Sequence, residues 1–343
     1  MARRTDNDMR KIYLILAIAG IMMTTACSNE NNEPTSESNV TFTVNLDGID
    51  SRTISDGTTV DQLVFAVYDD QGNEIPALRQ NDIQIEDKQA TVTTKVAMGQ
   101  KYSFAFWAQK KKEGSLNDNG YYNTTDLKDV VVSYAGYAND ENRDAFTASW
   151  SIEKVTGPIN KTITLTRPFA QVDYVCSLDE WTDLLNSNYK LLGSDLVVDA
   201  GAYTHYNVLT GEATLPTTTP ITFALSDEWR HYQYATDYNF LGFVTSKPGN
   251  NYNNLFTISE NESKFWLSMN YILADKELET NLTGVKMNIY GMGANGPRPQ
   301  AVSLDQLPIK RNHRTIVFVS GLTTMVSVWI KIDPNSSGDV IID

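Results

Sequence analysis

One glycine-rich stretch of the sequence has the spacing of a nucleotide-binding loop. GMGANG, at positions 291–296, matches G-x-G-x-x-G and follows an alternating segment that predicts a strand. That motif holds a pyrophosphate only where it opens a helix, because backbone N–H groups at the helix N-terminus bind the phosphates. Pro297 and Pro299 follow at once and forbid such a helix. We therefore predict a hairpin loop and no dinucleotide site.

Two other patterns could bind a metal ion. In DPNSSGD, residues 333–339, oxygen-bearing side chains stand at the first, third and fifth positions of an EF-hand-like calcium loop. The bidentate acid expected at position twelve would lie beyond Asp343, so a solvated terminal turn is the better interpretation. His205, His231 and His313 are far apart, and none has a second ligand two or four residues on. We expect no metal site and no cofactor.

Catalytic motifs are absent from the sequence. It contains no G-x-S-x-G elbow, Walker loop or H-E-x-x-H, and its carboxylates are too numerous and scattered to indicate a catalytic pair. Cys176 ends the strand-like FAQVDYVC, where a free thiol is typically a small buried hydrophobe. The basic run at 110–112 is typical of a solvated loop. Most of the tryptophans lie in strand patterns that favour core packing. We expect a non-enzymatic protein.

Cys27 is the residue for which the sequence indicates covalent chemistry. Four basic residues precede an apolar run, 12–23, which at about 1.5 Å per residue is too short to cross a hydrocarbon core of about 30 Å as a helix. This pattern predicts a signal peptide over 1–26. The small residues before Cys27 resemble a lipobox, with Thr24 where that motif usually has leucine. We predict that Cys27 is acylated and anchors the mature chain in outer-membrane lipid. An ordinary secretory signal, cut at the same place, is the alternative.

The segment after the acylation site predicts a flexible tether. Residues 27–39 hold no large apolar side chain, and Glu30 and Glu33 resemble the surface-export signal of lipoproteins in Bacteroides-type bacteria. Without residues 1–26 the chain keeps 24 basic and 40 acidic residues, a net charge of −16, which gives no electrostatic basis for nucleic-acid binding. Cys176 would be the one cysteine left unmodified, so we expect no intrachain disulfide.

Period-two alternation dominates the rest of the chain and predicts strands. YSFAFWA, residues 102–108, carries aromatic residues on both faces, which suits burial on both sides. A reversal is expected near Asp87 and Lys88. The first strand of the body places four apolar residues on one face: Val40, Phe42, Val44 and Leu46.

We predict an all-β fold of two antiparallel β-sandwiches. Gly157 and Pro158 interrupt the strand pattern, so the predicted domains are 40–158 and 159–343. SLDEWTDLL, residues 177–185, is the clearest helix candidate, because Ser177 can cap it and Glu180 stands at the capping-box position.

Stretches in both halves of the sequence are similar to the fimbrillin-like surface lipoproteins of Bacteroides-type bacteria, the family of type V pilus subunits and their anchors. They are GQKYSFAFWAQ (99–109), ENRDAFTASW (141–150), LTRPFAQVDYV (165–175), YNVLTGE (206–212), FWLSMNYILA (265–274) and PIKRNHRTIVFVSGLTT (308–324). The resemblance implies two transthyretin-like β-sandwiches in tandem.

The resemblance also implies assembly by β-strand exchange. In such pili a protease cuts after a basic residue and removes the first strand, and a strand of the next subunit fills the groove. Here that strand is Val40 to Leu46, and the nearby basic residue is Arg52. The alternative is that Arg52 is an exposed loop residue and the strand stays, as in an anchor or an independent surface protein. The resemblance implies that the C-terminal strand is the donor, but the tail SSGDVIID alternates poorly and is short for that task, which leaves an anchor or accessory role open.

From these features we predict a surface lipoprotein of the outer membrane, or a component of a fimbrium, that acts in adhesion. Its expected partners are other pilus subunits or copies of itself, with host or bacterial surface ligands as further candidates. A glycan-binding lipoprotein of a polysaccharide-uptake system is the main alternative, and exposed clustered aromatic residues would favour it. A cleft with facing carboxylates would instead favour an exported hydrolase.

Overall fold

The structure is a computed structural model of the 343-residue chain. It describes residues 36–46, 57–135, 138, 140–177, 179, 180, 183, 190–224, 255–259, 262–276, 280–293, 296, 297, 300–321, 327–334 and 340–342. Glu37–Asp343 form one unit, and Met1–Ser36 form another. The predicted lipidation residue Cys27 and the predicted processing residue Arg52 lie outside the described residues.

Within the described residues the chain is built from strands. They are β1 (Glu37–Leu46), β2 (Gln62–Tyr68), β3 (Gln80–Gln84), β4 (Gln89–Ala97), β5 (Tyr102–Gln109), β6 (Tyr122–Asn123), β7 (Val130–Val132), β8 (Phe146–Ile152), β9 (Ile159–Leu165), β10 (Phe169–Ser177), β11 (Lys190–Ala200), β12 (Tyr203–Asn207), β13 (Glu212–Pro216), β14 (Ile221–Ala224), β15 (Leu255–Ser259), β16 (Glu262–Leu273), β17 (Thr280–Gly293), β18 (Gly296–Pro297), β19 (Gln300–Ile309), β20 (His313–Ser320), β21 (Ser327–Pro334) and β22 (Val340–Ile342). Short 3-10 helices cover Pro76–Leu78 and Glu141–Arg143.

Two sheets enclose a core in the first half of the chain. One has the order β4-β1-β9 and the other the order β3-β2-β5-β8. Alternate residues of β1 and β4 point into this core, which is the burial pattern that period-two alternation predicts. The core also takes Ile163 and Leu165 from β9, although β9 follows the predicted domain boundary at 158. The division into 40–158 and 159–343 stays a prediction.

Three further sheets surround a second, larger core. Their orders are β15-β16-β10-β20-β21-β22, β14-β11-β17-β18 with β19 on β17, and β13-β12-β7-β6. The last of these joins strands from both halves of the chain, since β7 pairs with β12 through Val130 and Tyr206. The predicted all-β fold is confirmed. Two parallel pairs, β1 with β9 and β10 with β20, depart from the predicted antiparallel pattern.

Strands β2 and β5 are buried on both faces. Phe104 and Phe106 of β5 point into the first core, whereas Ala105 and Trp107 belong to the second. Trp107 lies 6.4 Å from the ring of Phe169 and is fully buried. The two-sided burial predicted for residues 102–108 is confirmed, and one sheet therefore serves both cores.

Turn chemistry follows the sequence at several places. Asp87 and Lys88 both have positive φ, +48° and +64°, as a two-residue hairpin turn with a primed geometry requires. GMGANG forms a hairpin, because Met292 pairs with Pro297. The helix prediction at 177–185 is confirmed where the structure describes it: Asp179, Glu180 and Asp183 are helical, and the Ser177 hydroxyl accepts the Glu180 N–H at 3.1 Å.

The segment VLTGEATL, residues 208–215, alternates like a strand in the sequence, but its first half is a turn. Residues 208–211 form the turn between β12 and β13, and the strand begins at Glu212. The Asn207 side chain accepts the N–H groups of Leu209 and Thr210, at 2.9 and 3.1 Å, and Gly211 has φ +72°. This side-chain cap and glycine outweigh the apolar alternation. Among the described residues no helix is long and apolar enough to cross a membrane.

Candidate strand-exchange site

Strand β1 is the first described strand of the chain and lies in the middle of its sheet. It pairs antiparallel with β4 from Glu37↔Ala97 to Asn45↔Gln89. On its other side it pairs parallel with β9 from Val40↔Ile159 to Leu46↔Leu165. Both sets of main-chain groups are thus used, so removing β1 would leave the facing edges of β4 and β9 unpaired.

The inward row of β1 fills the first core. Val40 and Phe42 are 0 % exposed and Val44 is 1 % exposed. Leu46, at the end of the row, is half-buried and packs against the same core. Burial of an aliphatic or aromatic side chain stabilises a fold by about 1.5–3 kcal/mol, so this row is the main energetic contribution of the strand.

Phe42 lies among four aromatic rings. Its ring centroid is 5.0 Å from that of Phe104 and 5.1 Å from that of Phe106, both in edge-on geometry. The rings of Trp150 and Phe65 lie at 5.7 and 6.0 Å. These rings come from β2, β5 and β8 of the opposite sheet, so one side chain of β1 connects the two sheets of the sandwich.

The structure extends the first strand beyond its predicted start. It begins at Glu37 and not at Val40, so Ser38 joins the inward row opposite Val96. The Ser38 hydroxyl is buried and has no hydrogen-bond partner among the described residues. A buried hydroxyl without a partner costs about 1–3 kcal/mol. The start of β1 is therefore held less favourably than its middle.

The outward row of β1 is polar and partly exposed. Thr41 and Thr43 are half-buried and pair directly with Thr93 and Thr91 of β4. At the end of the strand, the Leu46 N–H donates to the carbonyl of Lys88 at 3.0 Å. A polar cleft of about 630 Å³ opens there, lined by the end of β1 and the β3–β4 turn. The C-terminal end of β1 therefore faces solvent.

A buried ion pair fixes the chain beside β9. Arg167, two residues after β9, donates to the carboxylate of Asp144 through Nε at 2.7 Å and Nη2 at 2.8 Å. Both side chains are at most 3 % exposed, and the guanidinium lies 4.5 Å over the ring of Phe146. Backbone hydrogen bonds between Thr147 and Thr166 tie the same two segments together. β9, one of the two strands that flank β1, is thus held in place independently of β1.

The other residues considered for chemistry lie apart from this site. Cys176 is fully buried in the second core, as predicted. His205 contacts the Thr204 hydroxyl and His313 the Arg311 carbonyl, at 2.9 and 2.7 Å. No metal-binding group of His, Cys, Asp or Glu occurs among the described residues. His231 and most of residues 333–339 lie outside them.

Two lysines of the basic run at 110–112 form ion pairs with carboxylates. Lys110 pairs with Asp61, and the Lys111 ammonium lies 2.6 Å from the Asp82 carboxylate. Each side chain of these pairs is still 34–40 % exposed, so the pairs contribute little to stability. Two of the three lysines of this run are thus paired with carboxylates, and Lys112 is exposed.

Similarity to known proteins is found at the level of a family and of solved structures. A family model described as "Family of unknown function (DUF6562)" matches residues 31–342. No curated protein matches the sequence. Three similar solved structures are a "putative cell adhesion protein" from Bacteroides ovatus, the tip fimbrial protein Mfa3 from Porphyromonas gingivalis with a C-terminal truncation, and a fimbrial assembly protein from Parabacteroides distasonis.

The similarity to these structures extends over most of each chain. The first is 9 % identical, covers 89 % of this chain and 100 % of its own, and has a TM-score of 0.46. The corresponding values are 13 %, 87 %, 100 % and 0.43 for the tip protein, and 11 %, 90 %, 100 % and 0.42 for the assembly protein. Since the family model spans nearly the whole described chain, this protein belongs to the DUF6562 family.

Proposed function

We propose that this protein is a non-enzymatic component of a surface fimbrium, a pilus subunit or anchor that assembles by exchange of β1. The observation that carries the proposal is the place of β1: first among the described strands, central in its sheet, and bound through one buried row. A terminal strand can leave without unthreading the rest of the fold. A strand of a second chain then restores the main-chain hydrogen bonds and fills the same pockets.

Cleavage near the end of β1 is the step that would release it. Leu46 ends the strand beside an open cleft, and Arg52 is the nearby basic residue in the sequence. After cutting, β1 is held only by its two strand neighbours and its core contacts, because the covalent link to β2 is gone. Loss of that link removes the high effective concentration that favours the native strand over a competitor.

The N-terminal acyl anchor completes the proposal. We infer that Cys27 carries the lipid, so the protein is delivered to the outer membrane with β1 on the anchored side of Arg52. A cut chain leaves its anchor and first strand behind, whereas an uncut chain stays attached. The proposed partners are other pilus subunits or copies of this chain, with surface ligands of host or bacterial cells beyond them.

An Arg-specific protease tests the exchange. We expect the purified lipid-free precursor to be cut after Arg52 and to form oligomers that resist SDS, whereas Arg52→Ala stays intact and monomeric. Arg79→Ala is the matched control, because the Arg79 side chain is mostly buried in a pair with Glu74 and should not be the site of cutting. Cutting at Arg52 without oligomers would exclude a shaft subunit and favour an anchor.

Metabolic labelling with a fatty-acid analogue tests the anchor separately. We expect label on the wild-type chain and none on Cys27→Ser, with Cys176→Ser as the control because that thiol is buried. Retention of label by Cys27→Ser would disprove the lipid assignment and leave the strand-exchange proposal standing.

The glycan-binding alternative finds no specific support among the described residues. The large hydrophobic side chains that are exposed there are Leu116, Val131 and Leu215, none of which can stack on a sugar ring. Trp107 is buried, and Trp150 packs against the first core. We therefore give the fimbrial role as the single proposal.

A further inference from the structure

We propose that the groove between β4 and β9 selects a donor strand with an aromatic residue at the Phe42 position and an aliphatic residue two positions to either side of it. The inference rests on the proposed strand exchange and names its partner. It follows from the shape of the site that β1 occupies.

The centre of the groove is shaped for a ring. Four rings face Phe42 at centroid distances of 5.0–6.0 Å, and three of them, Phe104, Phe106 and Trp150, meet it edge-on. With β1 removed, these rings would line a slot closed at its base by the opposite sheet. An aliphatic side chain cannot reproduce the edge-on contacts, and alanine would leave a cavity of nearly a whole ring.

The positions on either side of the slot require smaller side chains. Val40 and Val44 lie two residues before and two after Phe42 and are fully buried opposite Thr94 and Ala90. The donor must also run antiparallel to β4 and parallel to β9 to use both edges. The fitting donor is thus a strand of about ten residues with an aliphatic–x–aromatic–x–aliphatic centre, as β1 itself is.

The described strand β21 does not have that pattern. In the sequence of β21, alternate positions hold Val328, Ile330 and Ile332, and the positions between and before them hold Ser327, Trp329 and Lys331. Neither set of alternate positions places an aromatic residue between two aliphatic ones.

The C-terminal strands are also engaged or short in the structure. β21 is paired along its whole length with β20, from His313↔Pro334 to Ser320↔Ser327, so donating it would break an internal sheet. β22 has three residues, Val340–Ile342, against the ten of β1. Neither β21 nor β22 therefore matches the groove, whereas a strand with the pattern of β1 does.

Peptide competition tests the selection on the full mature chain. A specific protease site is inserted after Leu46, the folded protein is purified and cut, and a fluorescent ESNVTFTVNL peptide is exchanged into the groove. Unlabelled competitors are the same peptide, its Phe42→Ala and Thr43→Ala forms, and SVWIKIDP from β21. Fluorescence polarisation gives the concentration at which each competitor displaces half of the label.

We expect the Thr43→Ala peptide to compete within about threefold of the native peptide, because Thr43 faces outward. The Phe42→Ala peptide should be weaker by about a hundredfold or more, as loss of a buried ring predicts. SVWIKIDP should be weaker by at least about tenfold.

The outcomes distinguish failure of the aromatic selection from failure of strand exchange itself. Entry of the native peptide together with equal competition by the Phe42→Ala peptide or SVWIKIDP would overturn the aromatic selection but keep strand exchange. Failure of the native peptide to enter would refute strand exchange through this groove, and the inference with it.

Discussion

Trp107 offers the sharpest test of how the two cores depend on each other. Its side chain is fully buried in the second core, with the rings of Tyr122, Tyr206 and Phe169 at 5.4, 5.9 and 6.4 Å. Its neighbour on β5, Phe106, faces the first core and lies 5.1 Å from Phe42. A change at Trp107 therefore acts on the sheet that both cores share.

The size of the effect follows from two contributions. Truncation of a buried tryptophan to alanine costs about 3–5 kcal/mol in lost packing. The indole N–H also donates to Gln109 Oε1 at 3.0 Å, and leaving that buried acceptor unpaired adds about 1–3 kcal/mol. Because natural domains are stable by only about 5–15 kcal/mol, Trp107→Ala should barely fold. Trp107→Phe keeps a ring and should cost about 2–4 kcal/mol.

Hydrogen exchange of Trp107→Phe measures the coupling between the cores. If the shared sheet joins them into one cooperative unit, amides of β4, in the first core, and of β16, in the second, should lose protection together and by similar free energies. Phe106→Leu, which changes the opposite face of the same strand, should do the same. Loss of protection confined to the second core in Trp107→Phe would refute the coupling and favour two independent domains.

Three further changes have effects that the structure makes specific. Gly284 has φ +60°, and a Cβ there would meet Asp199 Oδ2 at 2.1 Å. Gly284→Ala should therefore lower the free energy of unfolding by about 2–4 kcal/mol. An unchanged midpoint of urea unfolding would contradict this. Leu215 is 58 % exposed with φ +54°, so Leu215→Asn should raise stability by about 0.5–1 kcal/mol in the same assay. Burial raises the pKa of the Tyr122 and Tyr134 hydroxyls. Above about pH 10 the folded state therefore keeps protons that the unfolded state loses. The free energy of unfolding should be unaffected by these groups below about pH 10 and should fall as the pH rises further. Phenolate absorbance should then rise together with loss of circular dichroism, and ionisation of both residues without unfolding would be the contrary result.

The sequence predicted the local part of the candidate site well. The inward row of β1 follows from alternation alone, since each apolar residue stands two positions from the next and one face of the sheet is buried. The two-sided burial of β5 followed from aromatic residues in both rows, because neither row could face water at low cost. Ser38 was missed, since a single serine before an apolar row gives no signal of burial.

Pairing partners far along the chain could not be predicted in the same way. Nothing in β9 distinguishes it from an outer strand of the second half, and its parallel pairing with β1 depends on a connection through the whole first half. The orphaned Ser38 hydroxyl and the edge-on rings around Phe42 are likewise products of tertiary packing. Alternation gives the face of a strand, but not its neighbour or its partner residues.

The two partners of β1 lie at different distances along the chain. Val40 and its parallel neighbour Ile159 are 119 positions apart, so β1 cannot complete its pairing until β9 has been made. Contacts between such distant residues form slowly because the long intervening loop must first close. The pairing of β1 with β4 joins nearer residues, since Val40 and Thr94 are 54 positions apart, so we expect the β9 side of β1 to form after its β4 side.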